Sequence, residues 1–174
     1  MKTKLEIALE FAPDMHRSVN HKYDTRDYKY HLDMVYGYAA KYSYLITGDA
    51  DTVFAACYCH DLIEDCRLTY NDIKSKLGLE IAEITYALTN EKGKTRKERA
   101  NEKYYANIIA CENAAFVKIC DRLANVKYSK MNADKNSSMY FKYKAENPSF
   151  IAALTDSDNT LKDMFIELEN LFMD

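Results

Sequence analysis

The chain has 174 residues, 48% of them hydrophobic, which is enough for one domain with a substantial core. Its net charge is −3 with both signs interspersed, and no stretch approaches the roughly 20 apolar residues of a membrane span, so neither nucleic-acid nor membrane partners are expected. Five cysteines with no CxxC pair argue against a disulfide framework or a zinc cluster. They read as buried thiols in a reducing compartment, and the charged, amphipathic start is no signal peptide, so a cytoplasmic protein is expected.

Only 4 Gly and 2 Pro occur, which favours helices, and most of the 15 Tyr read as half-buried helix surface. Leu5, Ala8, Leu9 and Ala12 mark a first helix, interrupted or restarted at Pro13. Residues 20–27 are polar and read as a loop. Residues 30–46 form a strong helix with Met34, Val35, Tyr38 and Tyr42 on its apolar side, ending near Gly48. Asp49 or Asp51 caps a helix over 52–65. A capping pattern at 69–72 precedes a helix over 73–77, which Gly78 stops. Helices follow over 79–88, 96–110 and 114–128, with a loop at 90–95. Residues 132–138 read as a mobile loop, and helices over 139–146, 149–154 and 159–173 complete the chain. The last of these, with Leu161, Met164, Phe165, Leu168, Leu171 and Phe172, is core or else a dimer face, which leaves monomer and homodimer open. No period-two strand pattern and no repeat stand out. The expectation is an all-α, single-domain bundle of about eight to ten helices over 1–174.

His60-Asp61 followed by Glu64-Asp65 carries the chemistry. A buried carboxylate without a partner costs several kcal/mol, yet Asp61 lies between apolar 54–57 and Leu62-Ile63, so a cation or basic group is expected beside it. Two more ligands are on offer. His31 opens the strong second helix, and Asp121 interrupts an apolar one. Taken alone, His31 also reads as a helix-start residue and Asp121 as an ion-pair partner of Arg122. Together, His31, His60, Asp61 and Asp121 make a mixed nitrogen and oxygen set suited to manganese, iron or magnesium. On a continuous helix Glu64 shares a face with His60, and Asp65 with Asp61. Both could orient or deprotonate a water that the metal activates, or else form a solvent-facing acidic pair.

In this order and spacing, His31, His60-Asp61 and Asp121 resemble the HD-domain phosphohydrolases. Residues 60–65 are similar to the HDxxED signature of the (p)ppGpp hydrolase domain of RelA/SpoT proteins and of small Mesh-type stand-alone hydrolases. Residues 118–125 are similar to that group's KLADRLxN motif, 77–89 to its FGxEVAxLVxxVT stretch, and Tyr28 to the lead-in before the first metal His. The resemblance covers about residues 5–128, with 129–174 a helical extension. It implies an all-helical HD bundle holding one divalent ion, often manganese, on His31, His60, Asp61 and Asp121. Glu64 and Asp65 would activate water and handle protons. The reaction it implies is hydrolysis of the 3′-diphosphate of (p)ppGpp. His21-Lys22 stand at the family's basic pair for base and phosphates, Asn125 would contact the nucleotide, and Arg99 could add phosphate charge. Leu32 replaces the usual Pro after the first metal His. The alternatives are another nucleotide phosphohydrolase, acting on deoxynucleotides or NADPH, and a non-catalytic protein that sequesters a nucleotide.

Overall fold

The computed structural model describes residues 2–155 and 159–173, and at 133–138 the backbone alone. Thr3 caps the first helix, α1 (Lys4–Ser18), in a reciprocal capping box with Glu6. Pro13 does not end α1. Its missing N–H frees one carbonyl, but Ala8, Ala12 and His16 keep a single buried face across it. The region read as a loop contains a small hairpin, β1 (Lys22–Tyr23) with β2 (Arg26–Asp27), paired antiparallel with Tyr23 opposite Arg26. Two residues per strand are too few to show alternation in the sequence.

The second helix, α2 (Lys29–Lys41), gives way to a 3₁₀ turn at Ser43–Leu45. Asp49 caps α3 (Ala50–Cys59) by accepting from the amides of Asp51 and Thr52. The expected single helix over 52–65 is broken: α3 ends at His60, Asp61 takes φ −101° and ψ 0°, and α4 (Leu62–Asp65) restarts. Thr69 and Asp72 form the expected capping box of α5 (Tyr70–Leu77). Gly78, at φ +98°, separates α5 from α6 (Leu79–Leu88). The expected helix over 96–110 is also split. In place of one helix there are α7 (Arg96–Arg99) and α8 (Glu102–Ala110), because Asn101 turns its side chain to cap Tyr104 N at 3.0 Å.

The longest buried element, α9 (Ala114–Met131), has α2, α3, α6, α8, α10 (Ala133–Leu154) and α11 (Lys162–Leu171) packed around it. The backbone over 133–138, read as a loop, is helical, and α10 runs through Pro148. Tyr143, Asn147, Phe150 and Leu154 keep one buried stripe across that proline, and this packing outweighs the lost hydrogen bond. Met164, Phe165 and Leu168 of α11 are core, so the last helix closes the bundle. No helix of the described residues is long and apolar enough to cross a membrane.

Candidate metal centre

Three elements that pack on one another bring the chemistry together. His31 projects from the first turn of α2, His60 and Asp61 lie at the break between α3 and α4, and Asp121 sits mid-way along α9. Neighbouring residues on a regular helix diverge by about 100°. The break lets His60 Nε2 and Asp61 Oδ2 converge to 2.9 Å. Asp121 Oδ1 lies 3.3 Å from His31 Nε2 and 3.7 Å from His60 Nε2, and Asp61 Oδ2 is 3.9 Å from His31 Nε2. One ligand atom from each of His31, His60 and Asp121 falls within 4.8 Å of the others.

The donor set fits a divalent cation. His60 Nδ1 donates to the Cys57 carbonyl at 2.8 Å, which leaves the buried Nε2 facing the carboxylates of Asp61 and Asp121. Burial alone disfavours a charged ring there, but Asp61 and Asp121 outweigh it and push His60 up to about 9. Burial likewise opposes both carboxylates. Even so, His60 holds Asp61 below the usual range, and Lys118 with the two histidines does the same for Asp121. The cluster therefore stabilises positive charge at its centre, whether a proton or a metal.

Each inward carboxylate is held from behind. Tyr28 OH donates to Asp61 Oδ2. Asn125 Nδ2 donates to Asp121 Oδ1 at 2.5 Å, and Lys118 Nζ to Asp121 Oδ2 at 3.1 Å. Asp121 thus pairs with Lys118 rather than Arg122, whose guanidinium goes to Glu146 at 3.0 Å between the Tyr143 and Phe150 rings. Tyr23, on the hairpin, donates to Asn125 Oδ1 at 2.8 Å and stacks on the His31 ring at 4.7 Å. The hairpin is itself tied down by Tyr128 OH on Asp24 at 2.9 Å and by Arg17 on Asp27 at 3.2 Å.

Glu64 does not lie one turn along from His60 on a common face, because the helix breaks between them. Its carboxylate grips Asn90 instead, accepting from the backbone N at 2.5 Å and from Nδ2 at 3.0 Å. Asp65 turns toward His21, whose Nδ1 lies 3.6 Å away. Burial, then Asp61 and Glu64, push Asp65 up to about 7.

A cleft of about 150 Å³ opens beside the cluster, lined by Asp61 and Asp121 and by the cations Arg96, Arg99, Lys118 and Arg122. Asn125 also lines it. Arg96 and Arg122 share the carboxylate of Glu146, and no such partner holds Arg99 among the described residues. His21 and Lys22 do not line this cleft. His21 packs on Tyr28 at 4.2 Å with its Nδ1 3.0 Å from His16 Nδ1, and Lys22 is exposed on β1. Sequence reasoning gave no role to Tyr23, Lys118 or Glu146. A lysine one turn before a buried aspartate was a usable signal for Lys118.

This helical fold is similar to that of a solved structure described as a metazoan ortholog of SpoT that hydrolyzes ppGpp and plays a role in starvation responses. The two superpose with a TM-score of 0.72 over 99% of this chain and 95% of that one, at 18% identity. Guanosine-3′,5′-bis(diphosphate) 3′-pyrophosphohydrolase MESH1 of Danio rerio aligns over 119 residues at 27% identity. That alignment takes in 68% of this chain and 65% of the relative, just under two thirds of its length. No protein-family profile matches the chain. In fold and sequence the chain resembles the HD-domain (p)ppGpp hydrolases.

Proposed function

We propose that this chain is a divalent-metal-dependent phosphohydrolase that removes the 3′-diphosphate of (p)ppGpp, giving GDP or GTP and pyrophosphate. The observation that carries the reading is the buried convergence of His31, His60 and Asp121, one ligand atom of each within 4.8 Å of the others, with Asp61 Oδ2 2.9 Å from His60 Nε2, beside a cation-lined cleft. The likeness to MESH1 and to the SpoT ortholog supplies the substrate class.

His31, His60, Asp61 and Asp121 would hold one ion, for which manganese suits the mixed donor set. When bound, the ion would supply positive charge to a phosphate and acidify a water. Water adds across the bond between ribose O3′ and the diphosphate, and one of its protons ends on O3′. Asp65, raised to about 7, is proposed to take up and return that proton. Each oxygen of Glu64 keeps a free lone pair beyond its bond to Asn90 and can orient the attacking water. Arg99, Arg96 and Lys118 line the space that phosphates would fill. His21 and Lys22 are proposed to meet the nucleotide from the hairpin side. Five free cysteines support a reducing, cytoplasmic setting.

The test is product analysis with Mn2+ and a panel of ppGpp, pppGpp, NADPH, deoxynucleoside triphosphates and monophosphates. Pyrophosphate and GDP from ppGpp are expected, lost on chelation and in Asp121→Ala. Turnover of a different nucleotide alone would discard the substrate. Unchanged turnover in Glu64→Gln would remove Glu64 from the mechanism, and absence of any turnover would leave a nucleotide-binding protein.

A further inference from the structure

We infer that Tyr28 and Tyr23 are positioning residues of the metal centre, Tyr28 through Asp61 and Tyr23 through both Asn125 and His31. The inference rests on the metal-binding reading above and assigns work to side chains outside the ligand set.

The two carboxylates present one oxygen each to the histidines, Oδ2 of Asp61 and Oδ1 of Asp121. Each of these same oxygens accepts a hydrogen bond from a neutral donor, Tyr28 OH in one case and Asn125 Nδ2 in the other. A neutral donor fixes the direction of a carboxylate without cancelling its charge, as the groups hydrogen-bonded to metal ligands do.

The Asn125 link has only one workable order. The Asp121 carboxylate can only accept, so the amide must turn Nδ2 toward it. Oδ1 then faces Tyr23, whose hydroxyl donates at 2.8 Å. Both ends of Asn125 are thereby engaged, and its amide serves the ligand carboxylate.

His31 supplies a second, independent reason. A metal-binding histidine ordinarily donates its other ring nitrogen to a carbonyl or carboxylate, which sets the ring plane. His60 does this through Cys57. His31 Nδ1 is buried with no hydrogen-bond partner. What lies flat against its ring is Tyr23, at 4.7 Å between centroids and 18° between planes. Stacking thus replaces the missing hydrogen bond in holding the imidazole.

The experiment is Mn2+ affinity by titration calorimetry, with EPR of the bound ion, on the full chain and its variants. Thermal melts of the metal-free proteins check folding. Tyr28→Phe should weaken binding by roughly 10- to 100-fold. Tyr23→Phe, which keeps the stack and loses the hydroxyl, should weaken it less than Tyr23→Leu, which loses both. Tyr23→Phe combined with Asn125→Ala should bind no more weakly than Asn125→Ala alone, a coupling that a general loss of packing does not produce. Unchanged affinity in Tyr28→Phe and Tyr23→Phe, or strict additivity with Asn125→Ala, would overturn the inference. Wild-type protein that takes up no Mn2+ would instead remove the metal reading itself.

Discussion

His16 sits behind the metal centre with no exposed surface, stacked on Tyr28 at 4.0 Å, and its Nε2 has no hydrogen-bond partner. Burial lowers it from 6.5 to about 3, against the opposing pull of Asp61. Below pH 6.5 the unfolded chain therefore binds a proton that the folded chain refuses, so this group's contribution to stability is complete above 6.5 and declines as the pH falls toward 3. Asp65, raised to about 7, acts in the opposite sense over part of that range, so the contribution is read as a difference. Between pH 7 and pH 5 the stability of the wild type relative to His16→Phe should fall by on the order of 2 kcal/mol. Urea unfolding in EDTA measures it, and a pH-independent difference would count against a neutral buried ring. At this scale the clustering of His31, His60 and Asp121 was legible because His and Asp are costly among apolar neighbours without a function. Tyr23 was not, since a tyrosine in a helix-rich sequence reads as half-buried surface, and only the fold shows its hydroxyl meeting Asn125.

Element boundaries divide into those set by local chemistry and those set by packing. Thr69 with Asp72, and Gly78, mark α5 and α6 in the sequence and in the structure alike. Pro13 and Pro148 signal breaks that do not occur, because the buried faces on either side of each remain in line. The break at His60-Asp61 carries no Gly or Pro, and it was hidden for that reason. Gly78 allows a clean test. It holds φ +98° and ψ 172°, a region essentially confined to glycine, and an added Cβ would meet nothing within 4 Å. Gly78→Ala should therefore cost about 1–3 kcal/mol through backbone strain alone. A chemical-denaturation midpoint equal to that of the wild type would show that the α5–α6 corner relaxes freely.

At the level of the whole molecule, the proposed ligands come from α2, the α3–α4 break and α9, and their spacing exists only when these helices are docked. An ion that binds the folded chain and not the unfolded one stabilises it by mass action, by about 2.7 kcal/mol at a hundredfold excess over Kd. For a chain of this size that corresponds to a rise in Tm of about 5–10 °C. Scanning calorimetry with Mn2+ and with EDTA should show the rise and its reversal, and Asp121→Ala should show neither. The all-α class was legible from periodicity across most of the chain. The hairpin at Lys22–Asp27 was not, because its place is fixed by Tyr128 and Arg17, which lie on other elements.

The position of Asp121 in α9 also bears on synthesis. A chain emerging from the ribosome presents His31, His60 and Asp61 well before the helix that carries Asp121 and on which α2 and α3 dock. Until α9 is released, the nascent protein holds only three of the four proposed donors. An ion held by all four proposed ligands would therefore report that α9 has docked.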